Sequence, residues 1–135
     1  MCLDYKDVEE TKKYKSRTEM ITGYKVVEKN NDGKYFPPIM KSSFKFFKKG
    51  KNKATNISTE IECDSEYEFY RTGFHSYLTR EGARDLQKNL KNNFPLKPTI
   101  IKVFIDPKDV TCVGVQNSQD VIVSKYLTIK SFKGI

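Results

Sequence analysis

Gly73-Phe74-His75-Ser76-Tyr77-Leu78-Thr79-Arg80-Glu81-Gly82-Ala83-Arg84-Asp85-Leu86-Gln87-Lys88-Asn89-Leu90 changes its period halfway along. Gly73 to Leu78 reads as a strand, Thr79 is a residue type that caps a helix start, and Ala83, Leu86 and Leu90 then recur at helical spacing. Asn92-Asn93 and Pro95 stop the pattern, which predicts one principal helix over about residues 80–91. Beyond it, residues 99–105 form a near-continuous apolar β run. Asp106-Pro107 turns the chain, residues 110–115 return, and residues 121–129 read as a final strand. Upstream, residues 21–28 carry β-prone bulk in Tyr24, Val26 and Val27, and Asn30-Asn31-Asp32-Gly33 supplies a hairpin turn. Tyr35 and Phe36 begin the return, and Pro37-Pro38 ends it because neither proline donates to a ladder. Several strands with one helix predict an α+β fold: a single domain, mainly an antiparallel twisted β-sheet, over residues 20–135. Residues 1–19 are mostly charged without a sustained apolar period, and read as an N-terminal arm.

A chain of 135 residues is the size of one domain with one core. The three cysteines, Cys2, Cys63 and Cys112, are odd in number and widely spaced, which fits neither a disulfide framework nor a zinc site. Reduced thiols are expected, with no metal and no cofactor. No apolar run is long enough to cross a bilayer and the start lacks a signal-peptide core, so the expected location is the cytoplasm.

The formal charge of +8 invites a polyanion. Nearly all of it is lysine, and base-edge readout favours the planar fork of arginine, so any nucleic-acid binding is expected to be backbone-led and unspecific. Residues 41–53 are the most basic segment, with six lysines, three phenylalanines and no acid. Lysines that track phosphates beside aromatic faces on which bases stack are what a single-strand surface needs. The plainer explanation puts Phe44, Phe46 and Phe47 in the core with solvated lysines around them. A third uses the acidic row Glu60, Glu62, Asp64, Glu66 and Glu68, which falls at alternate strand positions and would pair with the lysines across a hairpin. That row would also imitate a phosphate backbone, although a solvated face explains it equally well.

His75 is the only imidazole for acid–base work near neutral pH. Strand alternation puts His75 and Tyr77 on one face and Phe74, Ser76 and Leu78 on the other. Lys25, on a neighbouring strand, would complete a phosphate or nucleotide pocket of Lys25, His75 and Tyr77, with Lys48, Lys49 and Lys51 as an anion-attracting rim. A lone strand histidine is more often a structural hydrogen-bonder, and no carboxylate lies at a triad spacing. Cys2 would be a terminal nucleophile if Met1 were removed. Arg80 and Arg84 in the first helical turns would grip an anion.

The start Met1-Cys2-Leu3, then Gly23-Tyr24-Lys25-Val26-Val27, then Tyr70-Arg71-Thr72-Gly73-Phe74-His75-Ser76-Tyr77 ahead of a helix containing Ala83, resemble small uncharacterised proteins of tailed phages and prophages. The resemblance implies a phage protein in a bacterial host, acting stoichiometrically as an anti-defence inhibitor of a host protein or as a sponge for a nucleotide signal. A fainter likeness is to the ADP-ribosyltransferase fold, whose acidic strand motif would correspond to Gln119-Asp120-Val121-Ile122-Val123. Asp120 stands where that family carries its catalytic glutamate, which argues against transfer activity while keeping a nucleotide pocket. Three function classes therefore stand: a binding protein aimed at a host protein or nucleotide, an unspecific nucleic-acid binder, and an ADP-ribosyl-type enzyme or degenerate relative.

Overall fold

Strands whose alternate residues are apolar can bury one face each, and here they assemble into one large sheet covered differently on its two sides. The computed structural model describes residues 3–38, 46–55, 60–63, 69–94 and 97–135. In chain order these form β1 (Tyr5–Lys6), α1 (Val8–Lys15), β2 (Ile21–Lys29), β3 (Tyr35–Phe36), β4 (Gly50–Lys53), β5 (Glu60–Glu62), β6 (Phe69–Arg71), β7 (Phe74–Tyr77), α2 (Arg80–Asn93), β8 (Thr99–Ile105), a 3₁₀ turn at Pro107–Asp109, β9 (Val110–Gln116), β10 (Gln119–Ser124) and β11 (Tyr126–Ile129). Among the described residues the main sheet is antiparallel and nine-stranded, in the order β1-β9-β10-β7-β2-β8-β11-β4, with β3 paired to β2. β5 and β6 make a separate ribbon. The fold is α+β, as the sequence predicts.

The sheet is two leaves joined at a narrow seam. β2 and β8 pair over seven positions, from Ile21↔Ile105 to Val27↔Thr99, and β9 and β10 over six. Between β7 and β2 the register is a single pair, Tyr24↔Tyr77. Past it towards Phe74 the two strands part, and the backbone groups facing the gap need other partners.

Each face has its own core. On one side Ile21, Val27, Phe47, Phe74, Ile101, Val103, Ile105, Val113, Ile122, Leu127 and Ile129 form a continuous apolar cluster. On the other, Leu3, Val26, Tyr70, Tyr77, Ala83, Leu90, Ile100, Cys112, Val121 and Val123 pack beneath α2 and the β6 segment. Thr79 caps α2 by accepting from the Gly82 N–H at 3.1 Å. Gly82 is required there, because a Cβ would lie 2.7 Å from Cδ1 of Tyr77. The turn at residues 30–33 closes as expected: Asn30 Oδ1 accepts from the Asp32 and Lys34 N–H groups, and Gly33 has φ +79. Cys63 and Cys112 are buried, and burial pushes the Cys112 thiol up to about 11.

Three expectations need correction. Residues 1–19 are not simply an arm: β1 pairs with β9, Leu3 is fully buried, and α1 lies against β9. α1 has no buried residue, so no apolar period announced it. Polar contacts join the packing of Tyr14 on the core to hold it: Asp7 caps it by accepting from the Glu10 N–H, and the Thr11 hydroxyl accepts from the Val113 N–H at 2.9 Å. It is also a second helix beside the one expected. Residues 121–129 are not one strand but two, β10 and β11, lying in different leaves. The chain crosses over at Lys125, whose N–H is taken by the Asp109 carbonyl after an irregularity at Val123 and Ser124. Finally, among the described residues the lysine strand and the acidic strand are not paired with each other: Lys51 and Lys53 oppose Thr128 and Tyr126 of β11, while Glu60 opposes Arg71. Asp64, Glu66 and Glu68 lie outside the described residues, as do Cys2 and Phe44.

Candidate nucleic-acid interface

Lys25 and Ser76 flank the Tyr24↔Tyr77 pair, so Lys25 projects to the face of Phe74 while His75 and Tyr77 project to the face of α2. Lys25 fills the gap where the leaves part. Its Nζ donates to the His75 carbonyl at 2.7 Å and sits 5.6 Å from the Phe47 ring and 5.9 Å from the Phe74 ring. Burial pushes this ammonium down to about 8. Lys25 therefore meets the backbone of His75 and not its imidazole.

The imidazole belongs to a closed hydrogen-bond chain. Its Nδ1 lies 3.2 Å from the Gly73 carbonyl, which can only accept, so Nδ1 carries the proton and Nε2 is the acceptor. Tyr70 Oη, 2.8 Å from Nε2, donates to it and accepts in turn from the Leu3 N–H at 2.9 Å. Desolvation, helped by the Lys25 charge, holds the ring neutral and brings it down to about 3. Both nitrogens are occupied, and the ring serves to fasten the chain start to β7. Tyr77, buried under the first turn of α2, is pushed up to about 12 by burial and then by the Asp85 charge. The three pocket candidates thus point to two different sides of the sheet. Of the other sequence candidates, Arg80 is exposed with its guanidinium 5.9 Å from the Tyr24 ring, Arg84 is exposed, and Gln119 donates to Asp85 at 3.0 Å.

The rim candidates sit at the sheet's margin. Asn52, buried beneath them, accepts from the Lys48 N–H and donates to the Lys48 and Gly50 carbonyls, which folds residues 48–50 into a tight turn with Gly50 at φ +92. Lys48 and Lys49 are exposed on that turn, and Lys51 follows on β4.

The second leaf has a face that no helix covers beyond β2 and the start of β8. On β8, Ile101, Val103 and Ile105 point into the core, so Lys102 and Phe104 point outward. On β11, Leu127 and Ile129 point inward, leaving Tyr126 and Thr128 outward. The registers Tyr24↔Lys102, Thr128↔Phe104 and Tyr126↔Lys53 place Tyr24, Phe104 and Tyr126 on a diagonal across β2, β8 and β11. One strand across and two residues along makes each step roughly 8 Å. All three rings are partly exposed.

Cations accompany them. Lys51 Nζ lies 4.4 Å from the Tyr126 ring centroid, and Lys130 Nζ lies 4.4 Å from that of Phe104. Lys53, Lys102 and Lys130 are exposed around the same face. Among the described residues the only ion pairs are Lys13–Glu10 and Lys108–Asp106, so none of these lysines is held by a carboxylate. A shallow groove of about 90 Å³ opens in this face, lined by Met20, Lys51, Phe104, Asp106, Asp109 and Tyr126 among others.

Tyr24, Phe104, Tyr126, Lys102 and Lys130 were not singled out by the sequence reading. The signal was present as alternation: Lys102 and Phe104 interrupt the apolar run of β8, and Tyr126, Thr128 and Lys130 alternate with Leu127 and Ile129. Reading residues 99–105 as uniformly apolar concealed the outward row. Among the described residues no group of His, Cys, Asp and Glu is arranged to hold a metal ion, and no helix is long and apolar enough to cross a membrane. Comparison with protein-family models, with curated proteins and with solved structures finds no match.

Proposed function

We propose that the protein works by stoichiometric binding, without turnover, and that its ligand is single-stranded nucleic acid lying across the open face of β2, β8, β11 and β4. The observation that carries this reading is the diagonal of Tyr24, Phe104 and Tyr126 with unpaired lysines beside each step. Base–aromatic stacking tolerates any sequence because every base has a π-face, and lysine neutralises phosphate without reading bases. A flat, basic, aromatic sheet face therefore suits a flexible strand better than a rigid duplex. The nucleotide pocket of Lys25, His75 and Tyr77 has less support, since these groups diverge and the imidazole is saturated. The same saturation argues against an ADP-ribosyl-type enzyme using His75. The phage setting implied by the sequence resemblance adds a context: a host-directed accessory protein that occupies strands a host factor would otherwise engage.

The test is fluorescence anisotropy with a labelled mixed-sequence DNA 12-mer, in single-stranded and duplex form, over a salt series. The single strand should bind more tightly. Its log affinity should fall with log salt at a slope of about −0.7 for each phosphate neutralised. Phe104→Ala and Tyr126→Ala should each weaken binding by about 1–3 kcal/mol. Absence of binding at low salt, or binding indifferent to both ring deletions, would sink the reading.

A further inference from the structure

The open face is not uniformly positive, since two acids lie in its groove. Asp106 and Asp109 line it together with Lys51, Phe104, Tyr126 and the exposed Met20. Asp109 is the sharper of the two acids. Only 8% of it is exposed, and its backbone is fixed twice: its N–H donates to the Asp106 carbonyl at 2.9 Å and its carbonyl accepts from the Lys125 N–H at 2.9 Å. Asp106 is partly neutralised by Lys108 at 3.7 Å and has its Oδ1 taken by the Lys108 N–H. Among the described residues no hydrogen bond or ion pair occupies the Asp109 carboxylate.

The Asp109 carboxylate thus has no protein partner among the described residues, and its residue lines the groove together with Phe104 and Tyr126, where a donor group on a ligand can replace water at its oxygens. Phosphate is repelled from it, and the neighbouring lysines on the rim offer phosphate a better place. A cationic ligand is opposed by the net charge of +8 and by the ammonium groups already on both rings. The remaining donor that a strand brings is the exocyclic amino group of a base, and a carboxylate accepting from cytosine N4 is an established pairing geometry.

We infer that the groove beside Tyr126 is a base-reading pocket in which Asp109 accepts the exocyclic amino group of a flipped-in base, so that the face prefers cytosine to uracil. This rests on the proposed single-strand binding and adds a preference that stacking alone does not provide. Cytosine and uracil share shape and backbone and differ in the group at position 4, an amino donor in one and a carbonyl acceptor in the other. Uracil would set its oxygen against the carboxylate.

The experiment compares oligo(dC) and oligo(dU) 12-mers at pH 8 and one salt concentration by anisotropy, on the full chain and on Asp109→Asn. The native protein should bind oligo(dC) about tenfold more tightly, the lower end of what one specific base contact gives. Asp109→Asn, whose amide can donate to O4, should bring the ratio to about one or invert it. Should that variant fail to fold by circular dichroism, an oligomer of N4,N4-dimethylcytosine tested on the native protein answers the same question and should bind like oligo(dU). Equal affinity for the two homopolymers, or a preference that survives either change, overturns the inference and leaves the platform standing. No binding to either homopolymer sinks the single-strand reading itself.

Discussion

Of the places where ammonium groups meet aromatic rings in this molecule, the seam and the open face differ in their access to water, and water separates their roles. In the seam, Lys25 lies near Phe47 and Phe74, is half-buried, and donates a hydrogen bond to the His75 carbonyl. On the open face, Lys51 and Lys130 lie closer to their rings, each at 4.4 Å, and remain exposed. The buried contact is costly to maintain, because desolvating an ammonium outweighs what a ring quadrupole returns. The exposed contacts are cheap and readily exchanged, since a base can take the ring while the lysine swings to a phosphate. The same pair of residue types thus plugs the structure in one place and stays available to a ligand in the other.

The largest effect expected on the enclosed side is with acid. His75 titrates at about 3 in the folded chain and at about 6.5 unfolded. Between those values the unfolded chain holds the extra proton, so stability is present at pH 7 and is lost as pH falls from about 6.5 towards 3. The slope is about 1.4 kcal/mol per pH unit from this group. Urea denaturation at a series of pH values should show it, and His75→Gln, less stable at neutral pH, should lack this component. A native midpoint flat between pH 6.5 and 4.5 would break the account of a saturated imidazole.

Lys25 has the next effect, with the opposite sign of benefit. Its pKa of about 8 against 10.5 unfolded corresponds to about 3 kcal/mol of destabilisation wherever both states carry the proton. Stability from this group therefore rises as pH climbs from about 8 to 10.5. Lys25→Met keeps the length and removes the charge while forgoing one hydrogen bond worth about 1 kcal/mol, so a gain of about 1–2 kcal/mol at pH 7 is expected. Thermal melts at pH 7 decide it. Strand binding should be unchanged, because Lys25 faces the other side of the sheet; a loss of binding in a well-folded Lys25→Met would erase the distinction between seam and open face.

The strands that carry the platform were legible from β-prone bulk, Tyr24, Val26 and Val27 in β2 and the apolar run of β8, and α2 because Thr79, Ala83 and Leu90 mark its start and its buried stripe. α1 was not legible, since its anchor is the Thr11 hydroxyl on Val113, a polar contact across 102 residues of chain. The break at Lys125 escaped for a similar reason: its partner, the Asp109 carbonyl, comes from a distant turn. The site candidates were chosen by side-chain chemistry, which favoured His75 because an imidazole is versatile in water. Tyr70, Leu3 and Gly73 remove that versatility, and only tertiary structure brings them together. The outward row was written in the alternation but required knowing which half of the sheet α2 leaves bare.

The smallest effect concerns the lysines that rest on the open rings. An exposed cation–π contact contributes about 0.5 kcal/mol, so Lys51→Gln and Lys130→Gln should leave the melting midpoint almost where it was. Their consequence should appear in salt dependence instead. If each ammonium leaves its ring for a phosphate, each substitution should reduce the magnitude of the log affinity against log salt slope by about 0.7, and the double variant by about twice that. Base stacking on Phe104 and Tyr126 would persist, so binding at the lowest salt should fall while binding at high salt changes little. A slope unchanged in the double variant would mean that these lysines stay on their rings when the strand arrives, and that the exchange separating the open face from the seam does not take place.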